Sequence, residues 1–176
     1  MKLTVDDFKP VSTFIRDFFS ITPRRDIVEW AEDSIDLSDD ISAERKRIDF
    51  SLSPFLIDPL RMWDFSGKIR EVAVCGIDQH GKTLLEVIGV TYCMVHKQCA
   101  MLCVYPSDDL AADINKSKYE PIIKHIPQLA AELARPRSSR RDRYTLGAST
   151  MYFQGAGVKI MSRSAKIRVL DEEDQH

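Results

Sequence analysis

The feature that most constrains the fold is a glycine-rich motif placed between two apolar segments. Its four defining residues match the spacing Gly-x4-Gly-Lys-Ser/Thr, and they are Gly76, Gly81, Lys82 and Thr83. The apolar run at residues 72–75 predicts a buried strand, and residues 82–95 predict a helix. In such a strand–loop–helix unit, backbone N–H groups surround a phosphate at the positive end of the helix dipole. A chance Gly-Lys-Thr in a strand-to-helix turn is the alternative, so the phosphate site needs support from elsewhere in the chain.

Composition narrows the class of protein. The chain has 176 residues, of which 44% are hydrophobic and 30% are charged, and this suits a globular fold with a sizeable core. A formal charge of −2 gives no overall attraction to nucleic acid, so any DNA contact must come from a local patch. No apolar run approaches the roughly 20 residues that a membrane span needs. Four cysteines in or beside apolar runs predict reduced, buried thiols in a cytoplasmic protein, and they are Cys75, Cys93, Cys99 and Cys103.

The chain divides by composition near residue 50. Residues 1–50 are predicted to form a helical N-terminal segment, and residues 51–176 a second unit that contains the glycine-rich motif. Within the first segment, an apolar stripe at residues 10–19 predicts one helix. Thr22-Pro23 predicts the start of a second helix, with Ile27, Trp30 and Ala31 on its buried side.

The segments on either side of the motif predict an α/β fold. Residues 54–63 predict a short helical segment whose aromatic side chains either cover the sheet or contact an adenine ring. Residues 99–105 predict a strand, and Ser107 predicts the N-cap of the next helix. Pro121 and Pro127 then restart helical turns. This alternation predicts a parallel sheet with flanking helices.

A basic stretch at residues 135–143 is predicted to form a loop. Its arginines could bind the phosphates of a nucleic acid strand or of a neighbouring molecule's nucleotide. The alternative is a solvated loop whose charges offset the acidic ends of the chain. Both interpretations remain open at this point.

A second candidate site follows the apolar strand predicted at residues 167–170. Asp171 comes directly after this strand, where the ligands of parallel α/β sheets gather, and it is expected to bind metal. Glu172 is expected to polarise a water for attack on the γ-phosphorus. Because the pair complements Lys82 and Thr83, which are expected to contact the phosphates and Mg2+, the predicted cofactors are ATP and Mg2+. An acidic tail that only keeps the chain soluble is the alternative.

These residues resemble the large terminase subunits of tailed phages, in particular the lambda type, over residues 26–174. The similar segments are Glu29-Trp30-Ala31-Glu32, Arg70-Glu71-Val72-Ala73-Val74, Gln79-His80-Gly81-Lys82-Thr83, Glu120-Pro121-Ile122-Ile123 and Leu170-Asp171-Glu172-Glu173-Asp174. The resemblance implies a P-loop NTPase fold of the ASCE type, in which residues 51–176 form a partial P-loop ATPase domain and Gln79 and His80 lie in the nucleotide-binding loop. It further implies ATP hydrolysis that drives double-stranded DNA into a capsid. The implied partners are a terminase small subunit and the portal of the procapsid, with a homo-oligomer when full length, in the host cytoplasm.

Two departures from that family keep other functions open. Asp78 places an acid in the phosphate loop, and an anion about 5 Å from a triphosphate costs on the order of 3 kcal/mol at an effective dielectric near 20. The sequence also ends at His176, so we expect the C-terminal part of the domain to be missing and ATP hydrolysis to be weak. The alternatives are a fragment of an SF2-like helicase or translocase ATPase, and a non-catalytic prophage remnant.

Overall fold

A computed structural model describes the chain over residues 25–37, 47–64, 71–76, 81–135, 139–140, 142–156 and 164–171. The helix predicted at residues 10–19 and the helix start predicted at Thr22-Pro23 lie outside these ranges. None of the helices in the described ranges is long and apolar enough to cross a membrane. The predicted boundary near residue 50 between two segments stays a prediction.

The first described helix is α1 (Ile27–Ser34), which begins where the Asp26 side chain accepts a hydrogen bond from the Val28 N–H. An acceptor at this position satisfies one of the unpaired donors of the first turn. The apolar residues predicted to face inward, Ile27, Trp30 and Ala31, are all buried. Two 3-10 turns (Phe50–Leu52 and Pro54–Leu56) and helix α2 (Ile57–Met62) follow.

Helix α3 (Lys82–His96) is the central helix of the molecule. It is buried continuously from Leu85 to Val95. Helix α3 packs against strand β4 (Ser149–Gly155) of the sheet, and α1 and α2 also pack against it. Such an all-round apolar environment explains why the sequence of α3 is apolar on every side instead of along one stripe.

The other strands among the described residues are β1 (Ala100–Tyr105), β2 (Ser139–Arg140), β3 (Arg143–Leu146) and β5 (Ile167–Leu170). Together with β4 they form a five-stranded sheet in the order β2-β3-β4-β1-β5. Strand β1 is parallel to both β4 and β5, whereas β3 pairs antiparallel with β4 and β2 antiparallel with β3. The structure thus confirms the predicted α/β class with a parallel core, and it adds an antiparallel hairpin at one edge.

The chain from β1 to β2 is helical, as predicted. The Ser107 side chain accepts from the Leu110 N–H at 3.1 Å and caps α4 (Asp108–Ile114). A π-helical turn (Asn115–Tyr119) continues into α5 (Glu120–His125), and α6 (Pro127–Leu133) follows. The proline near the start of each of the last two helices occupies a position where no backbone N–H is needed.

Three sequence predictions are wrong. Residues 72–75 do not form a buried strand: the segment 71–76 is mostly exposed and joins none of the five strands. An apolar composition gives a strand only where a neighbouring strand accepts its backbone hydrogen bonds, and the segment 71–76 pairs with none of the described strands. Cys75 is consequently exposed, although Cys93, Cys99 and Cys103 are buried as predicted. The basic stretch is also more than a loop, since Ser139–Arg140 pairs with β3.

Candidate functional site

The two ends of the phosphate motif meet in the structure. Lys82 is the first residue of α3, and its Nζ donates to the Gly76 carbonyl oxygen at 3.1 Å. Gly81 precedes the helix with φ of 80°, in the left-handed region that favours glycine. A side chain at Gly81 would also be crowded, because its Cβ would lie 3.2 Å from Leu56 Cδ1. The glycine is therefore required by the turn that starts the helix.

Of the other residues predicted for this loop, the structure describes Thr83 but not Gln79 or His80. Thr83 is half-buried in the first turn of α3. Gln79 and His80 lie outside the described residues, and so does the acidic Asp78. The geometry of this site is therefore described only at the two ends of the loop.

Asp171 lies at the carboxyl end of β5, as predicted. Its backbone N–H donates to the Val104 carbonyl at 3.1 Å, so it still follows the ladder between β5 and β1. Asp171 is half-buried. The predicted partner Glu172 lies outside the described residues.

The carboxyl end of β4 packs closely against the start of α4. The Gly155 N–H donates to Asp108 Oδ1 at 2.7 Å. A Cβ at Gly155 would lie 2.4 Å from the Asp108 nitrogen, which leaves room only for glycine. This contact fixes the helix start beside the strand ends where ligands of parallel sheets bind.

A buried carboxyl group that the sequence analysis missed lies one helical turn after the motif. Glu86 is only 6% exposed, and its Oε1 accepts hydrogen bonds from the Tyr105 hydroxyl at 2.5 Å and the Tyr119 hydroxyl at 2.6 Å. Burial raises the pKa of Glu86 to about 7, while the two phenol hydrogen bonds lower it and the charge of Asp171 raises it further. A signal was present in the sequence, because Glu86 is the one charged residue between Leu84 and Val95.

The groups around Glu86 form a buried polar cluster. Tyr119 Oη also lies 3.7 Å from Cys103 Sγ. Burial, followed by the charge of Glu86, raises the pKa of the Tyr105 hydroxyl and of the Cys103 thiol. Burial is also the main reason that the pKa of Tyr119 lies above its ordinary value. The phenols and the thiol are therefore neutral donors at physiological pH.

This cluster connects the two predicted parts of the nucleotide site. Glu86 follows Lys82 by four residues and Thr83 by three, so these side chains share one side of α3. The Tyr105 hydroxyl donates to Glu86, and the residue before Tyr105, Val104, accepts a hydrogen bond from the Asp171 N–H. Helix α3 is therefore hydrogen-bonded, through Glu86, to the end of the sheet that carries Asp171.

An exposed aromatic residue lies beside the start of α3. Phe55 is 56% exposed, and the next residue, Leu56, reaches Gly81 as described above. The segment that the sequence analysis considered for adenine contact is thus adjacent to the phosphate motif.

Part of the basic stretch is engaged within the protein. Arg135 forms an ion pair with Glu132 at 2.8 Å. The Arg143 guanidinium lies 6.0 Å from the centre of the Tyr152 ring. Arg137 and Arg141 lie outside the described residues. Binding of nucleic acid by this stretch stays a prediction.

Metal binding at this site would need few protein ligands. In the described part of the chain, no group of three or more His, Cys, Asp and Glu residues is arranged to hold a metal ion. Magnesium bound with a nucleotide keeps several waters and takes one or two protein ligands plus phosphate oxygens. A hydroxyl from Thr83 and a carboxylate from Asp171 are the oxygen donors that suit such an ion.

Comparison with protein families agrees with this architecture. Residues 42–176 match the model of a family described as the ATPase domain of the phage terminase large subunit gpA. A search for individual curated relatives found no match. The matched range contains the phosphate motif, the five strands and Asp171, so the family and the α/β fold of a P-loop ATPase that the sequence predicted are both confirmed. The chain belongs to the family of phage terminase large subunit gpA ATPase domains.

Proposed function

We propose that this chain binds ATP with Mg2+ at residues 76–83 and Asp171, as the ATP-hydrolysing part of a motor that moves double-stranded DNA into a capsid. The observation that supports the proposal is the 3.1 Å hydrogen bond from Lys82 Nζ to the Gly76 carbonyl. It joins the ends of the phosphate motif at the N-terminus of a 15-residue helix. Backbone N–H groups and the helix dipole favour an anion at that position.

Each residue of the loop would act on the phosphates. Backbone N–H groups from Gly76 through Gln79 and His80 to Gly81 would surround the β-phosphate. The Lys82 ammonium would exchange its contact with the Gly76 carbonyl for the β- and γ-phosphate oxygens. The same lysine thus joins the two ends of the motif and would bind the nucleotide.

The remaining residues would serve metal binding and hydrolysis. Thr83 and Asp171 would hold Mg2+, with the Thr83 hydroxyl and the Asp171 carboxylate as oxygen ligands. Bound Mg2+ would neutralise charge on the phosphate oxygens. Glu172 would orient a water and accept its proton, which favours hydrolysis over transfer of the phosphoryl group to another substrate.

We extend the proposal to the base of the nucleotide. Phe55 offers an exposed aromatic face next to the segment that contacts Gly81. Stacking of a base on an aromatic side chain contributes about 1–3 kcal/mol in single-stranded nucleic acid binding, and a similar contact would hold adenine here.

The partners follow from the family. We propose that the chain acts with double-stranded DNA, a terminase small subunit and the portal of the procapsid, as a homo-oligomer in the host cytoplasm. The family match favours this packaging role over an SF2-like helicase. The basic stretch around Arg135 and Arg143 is the local patch that would contact DNA phosphates.

The experiment measures thermal unfolding of the purified chain with and without Mg-ATP. A ligand at one hundred times its dissociation constant stabilises the folded state by about 2.7 kcal/mol, so the unfolding temperature should rise. Lys82→Ala should abolish the rise because it removes the cation that binds the phosphates. Lys124→Ala is the matched control, because Lys124 is an exposed lysine paired with Glu120 on α5.

The three proteins together show whether the chain binds Mg-ATP at the proposed site. A rise in the wild type and in Lys124→Ala, lost in Lys82→Ala, supports the proposed site. An unchanged unfolding temperature in saturating Mg-ATP contradicts it and favours the non-catalytic remnant. A rise that persists in Lys82→Ala would place nucleotide binding elsewhere on the chain.

A further inference from the structure

A buried charged residue inside an apolar helix calls for an explanation. Glu86 lies on the continuously buried helix α3, where an apolar side chain of similar volume would avoid the desolvation of a carboxyl group. Both neighbouring phenols donate to it, and these hydrogen bonds offset part of that cost. A hydrogen bond depends more strongly on direction than an apolar contact does. It therefore resists small rotations of the helix that apolar packing alone would tolerate.

The three partners come from three different elements. Glu86 belongs to α3, Tyr105 is the last residue of β1, and Tyr119 ends the π-helical turn that follows α4. The carboxyl oxygen therefore joins the helix that begins with the phosphate motif to the carboxyl end of β1 and to the helical layer that contains Tyr119. All three side chains are buried, so water does not compete for these hydrogen bonds.

The π-helical turn supports this arrangement. A π turn widens the helix by one residue and shifts the direction of the side chains after it, and such turns occur frequently at functional sites. Here the turn ends at Tyr119, whose ring is fully buried and packs edge-on against Phe153 at 4.9 Å between ring centres. The irregular turn thus delivers a phenol to Glu86 while its ring remains packed on β4.

We propose that Glu86 is a positioning residue for the nucleotide site, holding the first turn of α3 in a fixed rotation relative to the strand end that carries Asp171. This inference rests on the proposed function, because it concerns the same site. A rotation of α3 would move Lys82 and Thr83, which lie one turn before Glu86, relative to Asp171, and both groups must reach the same nucleotide and metal.

The experiment measures the dissociation constant of Mg-ATP for the full chain by calorimetric titration. Glu86→Leu removes the acceptor and should weaken binding about ten- to a hundredfold, the range found when residues that orient metal ligands are removed. Glu86→Gln keeps a carbonyl oxygen that accepts from both phenols and should restore binding to within about twofold of the wild type. A residue that acts only through stability would not show this rescue once each variant is folded.

Thr91→Val is the matched control. Thr91 is a fully buried polar residue on the same helix, but its hydroxyl donates only to the helix carbonyls of Val87 and Ile88. Its replacement should leave the dissociation constant unchanged. Equal weakening in Thr91→Val and Glu86→Leu would overturn the proposal, because the effect would then follow from any polar deletion in α3.

A double variant provides the test if Glu86→Leu does not fold. Tyr105→Phe combined with Tyr119→Phe retains both rings and the Glu86 side chain but removes both donors, and it should weaken Mg-ATP binding about tenfold. Wild-type affinity in folded Glu86→Leu, or in this double variant, refutes the positioning role while the proposed function stands. Absence of binding by the wild type itself refutes the proposed function and this inference with it.

Discussion

The raised pKa of Glu86 predicts a specific pH dependence of stability. In the folded protein the pKa is about 7, compared with an ordinary value of 4.5. The folded state therefore holds a proton that the unfolded state releases throughout this window. Stability falls with rising pH wherever the native state binds more protons than the unfolded state. The contribution of Glu86 is fully present below about pH 4.5 and is lost as the pH rises through about 7.

The size of the effect follows from the shift in pKa. Each pKa unit corresponds to 1.36 kcal/mol, so a shift from 4.5 to about 7 amounts to about 3 kcal/mol over the whole titration. Between about pH 5 and pH 8, where most of this titration occurs, the free energy of unfolding should fall by about 2–3 kcal/mol on account of Glu86. This is a large part of the 5–15 kcal/mol that is typical of folded proteins.

The assay compares the wild type with Glu86→Gln. Glutamine does not titrate, so subtracting the free energy of unfolding of Glu86→Gln from that of the wild type at each pH isolates the Glu86 contribution. Urea titrations at several pH values and constant ionic strength supply both quantities. The neighbouring phenols of Tyr105 and Tyr119 and the Cys103 thiol have pKa values raised above their ordinary ones, so they stay protonated in this range.

One result would refute the reasoning. If the difference between the two proteins is the same at pH 5 and pH 8, Glu86 ionises in the folded state with its ordinary pKa. The charge of Asp171 contributes to the raised pKa, so Asp171→Asn should reduce the pH dependence without abolishing it, because burial is the larger cause.

Two further predictions concern packing and thiol chemistry. In urea titrations, Gly89→Ala should lower the free energy of unfolding by about 1–3 kcal/mol. The reason is that a Cβ at Gly89 would lie 2.2 Å from Trp63 Cδ2, so the buried indole must shift. An unchanged unfolding midpoint would show that the ring can move freely. Alkylation of the native chain should modify the exposed Cys75 first, and peptide mapping should find Cys93 unmodified. Cys93 is buried, and burial raises the pKa of its thiol to about 12. Equal labelling of the two cysteines would contradict the described burial.

The sequence predicted the parts of the fold that local patterns determine. The boundaries of α3 follow from an apolar run after Gly81, and α4 begins at the serine cap that the sequence indicated. Strand β5 also ends where the apolar run meets Asp171. Each of these features depends on neighbours in the sequence, so hydrophobic period and capping chemistry were sufficient.

Features that depend on distant partners were missed. The segment at residues 71–76 has the composition of a strand, but composition cannot show whether a pairing edge lies beside it, and Val74 and Cys75 are exposed. The role of Glu86 was invisible for a related reason. Its partners Tyr105 and Tyr119 lie 19 and 33 residues away, and only the folded chain brings them to one oxygen atom.

The candidate site combines residues that are neighbours in the sequence with a residue that is distant in it. The phosphate motif is local in sequence, and the contact of Lys82 with Gly76 closes it within seven residues. Asp171 is remote, and its position relative to the motif depends on how α3 is set on the sheet. The hydrogen bonds that Glu86 accepts from β1 and from the π-helical turn are directional contacts between these layers. A related chain could therefore keep the whole phosphate motif and still bind nucleotide poorly, if the contact that orients α3 were lost.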